Sequence, residues 1–305
     1  MFINVLTQVV ILFILILLGV LLTKGKVLTE KGVQSMTDMV LILVTPCVII
    51  KSFVREFDKS VLKNLLISFL IAFLVHIGFI IFSHLILHSK EKATERVLRF
   101  GTVFSNCGYM SIPLQQALLG DIGVFYGSSF IAIFNLFIWS YGIIMMSGDK
   151  KYLTPKKIIL SPGIIGLVIG LIIFLFSIPV PKLILEPINY LASLNTPLPM
   201  IIIGYHLTKS NLLYGLKNFK CILAILLKLA VFPSIALGIM YLCGVRGDML
   251  VSSVISCSAP TAAITTMFSS KFSADTPLSV NMVSLSTILS LVTMPCLITL
   301  AQYIA

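Results

Sequence analysis

The chain has 305 residues, of which 58% are apolar and only 11% charged, and its mean hydropathy is +1.09. Soluble domains carry roughly 45–50% apolar and about 25% charged residues, so a disordered chain, a coiled coil and an ordinary soluble enzyme are excluded, and lipid is the expected solvent. The net charge of +11 would point a soluble protein toward nucleic acid, but here the basic residues fall mostly between apolar runs, where they set topology, and no nucleic-acid partner is expected.

Taken in chain order, the apolar runs predict ten transmembrane helices at 3–23, 33–53, 61–87, 94–118, 123–146, 157–177, 185–207, 217–243, 248–270 and 278–303. Each is close to the about 20 residues that one crossing needs. Backbone groups in hydrocarbon must be satisfied within the segment, which selects helices, and the runs do not alternate as barrel strands do. The expected fold is therefore an all-α polytopic membrane protein. The first run has no basic leader and no small-residue cleavage site before Lys24, so it reads as a retained helix rather than a signal peptide. The six cysteines form no C-x-x-C pair and mostly lie inside apolar runs, which suits small apolar residues better than a disulfide frame or a zinc site; no metal and no cofactor is expected.

The loops after odd-numbered spans hold fifteen basic residues: Lys24, Lys26 and Lys31; Lys90, Lys92, Arg96 and Arg99; Lys150, Lys151, Lys156 and Lys157; Lys209, Lys217 and Lys220; and Lys271. The opposite side holds six: Lys51, Arg55, Lys59, Lys63, Lys182 and Arg246. This bias places the odd-to-even loops in the cytoplasm and both termini outside, in a plasma membrane. The 2–3 loop dissents, with four basic residues on the expected outer side.

The halves resemble each other at a spacing of 154: Leu62-Lys63-Asn64 recurs as Leu216-Lys217-Asn218, Gly120-Asp121 falls on Ala274-Asp275, and Ser105-Asn106-Cys107-Gly108 falls on Ala259-Pro260-Thr261-Ala262. Thr45-Pro46 recurs as Thr196-Pro197 at a spacing of 151. Five spans per half is an odd number, so the second half inserts upside down: residues 1–150 form a first repeat and 151–305 an inverted second one, an arrangement found in many secondary transporters.

Spans four and nine carry helix breakers at matching depth: Asn106, Gly108 and Pro113 in one, Pro260 in the other. Paired interruptions in corresponding spans point to a transporter's central site. Freed N–H groups and half-helix N-termini suit an anion, while freed carbonyls suit a cation; Asn106, Ser258 and Thr261 stand beside the breaks. A simple proline kink is the competing reading. Pro46, Pro197 and Pro199 similarly interrupt spans two and seven, Pro199 as a structural kink.

This ordered set resembles the bacterial branch of the auxin efflux carrier family of membrane transporters. The carrying residues are Asn106-Cys107-Gly108-Tyr109-Met110-Ser111-Ile112-Pro113-Leu114, Ser258-Ala259-Pro260-Thr261-Ala262, Asp275 and the run 279–295, and the likeness covers essentially the whole chain. The resemblance, shared with a wider bile-acid/sodium-symporter-like superfamily, implies a five-plus-five inverted repeat. Spans 1, 2, 6 and 7 would form a scaffold, and spans 3–5 and 8–10 a mobile transport domain. Spans 4 and 9 would cross at their breaks, with substrate beside the crossing. It also implies a homodimer. Plant members export the auxin anion and bacterial members are associated with small carboxylates such as malate or malonate. Here the plant members' long cytoplasmic loop is reduced to about ten residues, and Pro260-Thr261 stands where plant carriers have an asparagine.

Within the spans, Lys228 is the sharpest residue. It lies eight residues past Lys220, about 12 Å along the helix, and a charge at that depth faces a cavity or a partner unless it snorkels to the cytoplasmic face. A carboxylate substrate is the candidate partner. His76, near the pseudo-equivalent place in span three, could gate or carry a proton, or could simply bond a neighbouring helix. Thr45 and Tyr109 are candidate cavity residues, and Asn135 and Asn281 candidate interhelical bonds. The expected function is secondary transport of a small organic anion by alternating access, not enzymatic catalysis. The alternative is a sodium- or proton-coupled symporter of bile-acid-transporter type, whose sodium could use Ser252, Ser253, Ser256 and Ser258. A membrane metalloenzyme built on His84 and His88 is the remote third.

Overall fold

Helix is the regular structure throughout the described residues, apart from one isolated β-bridge, as backbone in hydrocarbon requires. The computed structural model describes residues 2–153, 155–210 and 212–305. Six helices are long and apolar enough to cross a membrane: α1 (Phe2–Lys24), α2 (Glu30–Phe53), α3 (Lys59–Ile86), α6 (Asp121–Ser147), α12 (Phe219–Leu242) and α15 (Thr276–Ile304). The other four expected spans are each assembled from two shorter helices. These are α4 (Lys92–Val103) with α5 (Ile112–Leu119), α7 (Pro155–Ile159) with α8 (Pro162–Leu175), α9 (Lys182–Ser193) with α10 (Pro197–Leu207), and α13 (Gly247–Ser258) with α14 (Ile264–Lys271). A short α11 (Leu212–Lys217) precedes α12.

Local chemistry sets the ends. Thr29 caps α2 by accepting from Gly32 N–H, and Asp58 caps α3 by accepting from Ser60 and Val61 N–H. With the Ser60 hydroxyl added, these bonds hold the Asp58 carboxyl below its ordinary value. Gly120, at φ +67°, makes the reversal between α5 and α6 that a side chain would strain.

The expected break at Pro46 does not occur. The helix runs through it, absorbed by a π-turn at Val40–Val44. Likewise Pro113 is not where span four opens: it sits in the first turn of α5, behind a π-turn at Cys107–Ser111. A third π-turn, Leu227–Val231 in α12, precedes Pro233 in the same way. Proline lacks an N–H and its ring crowds the carbonyl four residues back; one widened turn just upstream changes the register and removes both conflicts. Pro197 opens α10 at its first turn, where the missing N–H is not needed, after a gap at 194–196, and Pro199 lies within α10 without breaking it.

Glycine contacts set the closest helix pairs. α1 lies along α10, where a Cβ on Gly19 would stand 2.4 Å from the Ile201 carbonyl oxygen and one on Gly204 would stand 2.2 Å from that of Ile16. α8 lies along α2, with Gly166 against Pro46 and Gly170 against Phe53. The split helices α4/α5 and α13/α14 lie in the interior; ten of the twelve residues of α13 are buried. Leucines on the outer faces of α1 and α3, such as Leu21 and Leu66, are exposed, as a lipid-solvated surface requires.

Candidate functional site

α4 stops at Val103, and Phe104 turns extended, with φ −89° and ψ 110°. α13 stops at Ser258, and Ala259 is extended at φ −60°, ψ 149°, the geometry that the following Pro260 favours. The two unwound stretches meet antiparallel, with a bridge between Ser105 and Thr261. Asn106 N–H donates to the Pro260 carbonyl at 2.7 Å, and Ala262 N–H donates to that of Phe104 at 3.0 Å. Thr261 ties the junction to its surroundings, its N–H donating to Ser286 Oγ at 3.1 Å and its hydroxyl to the Gly101 carbonyl at 2.9 Å. Asn106, Ser258, Pro260 and Thr261 are all buried here, and the Asn106 side chain accepts from Tyr109 N–H as a cap on the following π-turn.

Lys228 reaches this junction. Its side chain is fully buried at 0% exposure, so it does not snorkel, and its ammonium donates to Ser105 Oγ at the bridge. The Nζ also lies 5.4 Å from the Phe79 ring centroid. Among the described residues no carboxylate comes within the 4.0 Å of an ion pair with it. A buried ammonium without a counter-ion is costly in a low-dielectric interior and is a strong electrostatic sink for an anion.

His76 is buried close to this charge. Its Nδ1–H donates to the Ala72 carbonyl at 2.7 Å, which leaves Nε2 as the free lone pair of a neutral ring, and the ring stacks on Phe137 at 5.4 Å. Cys107 is buried in the π-turn; Gly108 is half-buried, with nothing within 4 Å of where a Cβ would stand. Tyr109 extends away from the junction to Thr37 and Asp38 on α2. Thr45 is also on α2, and among the described residues its buried hydroxyl has no hydrogen-bond partner and makes no bond to the junction. Asn135 and Asn281 each bond a carbonyl four residues back on their own helices, Ile131 and Pro277, rather than another helix. His84 bonds the Tyr141 hydroxyl, and among the described residues no three His, Cys, Asp or Glu side chains gather as a metal site would need.

Two residues that sequence reasoning passed over matter here. Ser105 is the partner of Lys228, and its only sequence signal was its place beside Asn106 in the repeat. Gln115, 1% exposed, donates through Nε2 to the Ser252 carbonyl, Ser252 Oγ and Ser256 Oγ at 2.9–3.1 Å, while Ser252 Oγ donates to the Gly123 carbonyl at 2.8 Å. Two of the ninth-span serines are thereby engaged in tying α13 to α5 and α6.

Residues 4–298 match the family described as membrane transport protein. The chain belongs to this family of transporters, the auxin efflux carrier family that its motifs resemble. An uncharacterized transporter from Methanothermobacter thermautotrophicus is 23% identical over 290 residues, covering 92% of this chain and 93% of its own. Another, from Methanocaldococcus jannaschii, is 24% identical over 294 residues, covering 93% and 94%. With six long apolar helices, this family member is a multi-pass membrane transporter, and both the family and its relatives' names point away from an enzyme.

Proposed function

We propose that the protein is a secondary transporter of small organic anions, carboxylates of the malate, malonate or auxin-like kind, working by an elevator form of alternating access in the plasma membrane. The observation that carries this reading is the Lys228 ammonium, buried without a carboxylate and bonded to Ser105 where the two unwound segments meet. It supplies the positive charge that a carboxylate lacks in lipid. In this reading the chain crosses ten times in two inverted repeats, with both termini outside. The glycine-packed pairs α1/α10 and α2/α8 belong to a scaffold of spans 1, 2, 6 and 7. The junction belongs to a transport domain of spans 3–5 and 8–10, and Asn106, Cys107, Gly108, Tyr109, Ser258, Pro260, Thr261, His76 and Thr45 are its candidate lining.

Outward movement of an anion from a negative interior gains about 2.3 kcal/mol per charge per 100 mV, so export needs no coupling ion, whereas uptake would need Na+ or H+. The engagement of Ser252 and Ser256 with Gln115 leaves fewer hydroxyls for a sodium ion and favours the uncoupled or proton-linked form. The test is flux of labelled mono- and dicarboxylates in proteoliposomes, with and without sodium and pH gradients. Wild-type protein transports at least one carboxylate, and Lys228→Gln abolishes this while still inserting. Unchanged flux in Lys228→Gln rejects the role of the ammonium, and flux that requires sodium selects the bile-acid-type symporter.

A further inference from the structure

The dissenting basic residues of the 2–3 loop have different fates. Lys51 pairs with Asp121 at 3.6 Å. Arg55 donates to the Ser52 carbonyl at 3.1 Å and lies 5.0 Å from the Phe125 ring centroid. Arg246, on the same expected side, covers the Tyr241 ring and bonds two carbonyls. Lys59 and Lys63 are different: both are exposed, and among the described residues neither has a hydrogen bond, ion pair or ring contact. The nearest acid, Asp58, turns its carboxylate to the α3 N-terminus, where it is spent on Ser60 and Val61.

The two lysines stand one turn apart on α3. Like charges at that spacing repel, and here no acid offsets them. They share one outer face of α3 with Leu62, Leu66, Ile67 and Leu70. The apolar stripe from Leu62 to Leu70 runs about 12 Å down the helix at 1.5 Å per residue, most of the roughly 15 Å depth of one leaflet's hydrocarbon. α3 has 28 residues, about 42 Å, so its first turn emerges from the hydrocarbon at headgroup level.

We propose that this face of α3 is a binding site for one anionic phospholipid, its phosphate held between Lys59 and Lys63 and an acyl chain lying along Leu62, Leu66 and Leu70. Three features select this occupant: the charge is complementary, the apolar stripe spans most of one leaflet, and the anion removes the repulsion between the lysines. The site stands apart from the junction at Ser105 and does not depend on which solute is carried.

The test is native mass spectrometry of the full chain in detergent, titrated with phosphatidylglycerol or phosphatidylcholine of matched chains. Wild-type protein should retain one phosphatidylglycerol in clear preference to phosphatidylcholine, because only the former headgroup carries a net negative charge for the two lysines to meet. The Lys59→Gln/Lys63→Gln variant should lose that preference. Lys182→Gln, at an exposed lysine away from this face of α3, should keep it. Both variants change exposed side chains and leave the fold intact. Equal retention of the two lipids by wild type, or an unchanged preference in the double variant, overturns the proposal. So does an equal loss in Lys182→Gln, which would mean diffuse surface charge. A wild-type dimer that the double variant abolishes, whatever lipid is present, would make this face a contact between copies and overturns it too.

Discussion

Replacing Lys228 with methionine separates a functional ammonium from a structural clasp. The substitution keeps an unbranched chain of similar length and removes the charge. It loses the charge-assisted bond to Ser105, about 1.5–3 kcal/mol, and the attraction to the Phe79 ring at 5.4 Å, about 1–2 kcal/mol when desolvated. Against this, it relieves the penalty of holding an ion without a counter-ion in the interior, which is several kcal/mol per ion even after relaxation. The Ser105 hydroxyl still donates to the Cys257 carbonyl at 3.4 Å, so it is not orphaned. The opposing terms are of equal size, and the net change in stability is near zero or favourable. Thermal unfolding of purified Lys228→Met should therefore show a Tm within about 3 °C of wild type, or above it, while carboxylate flux in proteoliposomes is lost; about 1 kcal/mol corresponds to roughly 2–4 °C in larger chains. A fall in Tm of about 8 °C or more would refute the reasoning: the ammonium would then be worth more to the fold than its burial costs, and its presence would need no substrate to explain it.

Glycine positions give three further predictions. A Cβ on Gly204 would stand 2.2 Å from the Ile16 carbonyl oxygen and 2.8 Å from Gly19 Cα, both backbone atoms that cannot swing away; Gly204→Ala should separate α1 from α10 and cost about 1–3 kcal/mol or more. Gly78→Ala, on a helix with open space around the new methyl, should instead be neutral or gain up to about 1 kcal/mol, as paired Tm measurements would show. Gly127→Ala would drive its methyl to 2.2 Å from Gln115 Oε1 and break the tie to Ser252 and Ser256, a loss of about 1–3 kcal/mol by overpacking. Because Gln115→Ala empties the same space, a double-mutant cycle of the two should be strongly non-additive, and additive values would show that the amide does not fill that space.

Six of the expected spans were legible as long apolar helices because lipid leaves a chain few options: long apolar runs must be helical. Pro260 was legible as a break because a missing N–H and an extended preceding residue act locally. The position of the span-four opening was not. Asn106 lies seven residues before Pro113, and what holds Phe104 to Asn106 out of the helix is pairing with a segment some 155 residues away, which no local signal encodes. The proline at 113 has a nearer solution, the widened turn at Cys107–Ser111, and the same device at Pro46 and Pro233 shows that a proline in a membrane helix is not by itself an interruption. The depth of Lys228 could be read by counting residues, but its partner could not: Ser105 is 123 positions away, and serine in a membrane helix is usually a small packing residue. Asn135 and Asn281 had the composition of interhelical bonds but spend their amide N–H groups on their own helices, a choice made by side-chain geometry rather than sequence.

The two breaks have a mechanical consequence. An unwound stretch in a membrane interior releases backbone groups that each cost several kcal/mol if left bare. Here, among the described residues, Asn106 N–H and Ala262 N–H are satisfied by the opposite break, through the Pro260 and Phe104 carbonyls. Thr261 adds bonds to Gly101 and Ser286, and Gln115 binds α5 to α13. Sliding α4/α5 past α13/α14 would expose these groups together, so the bonds oppose that slide. The contacts of α1 with α10 and of α2 with α8 run through glycine-lined faces that include none of these bonds. In the transporter proposed above, Lys228 would travel with the junction, because its ammonium is bonded to Ser105 there.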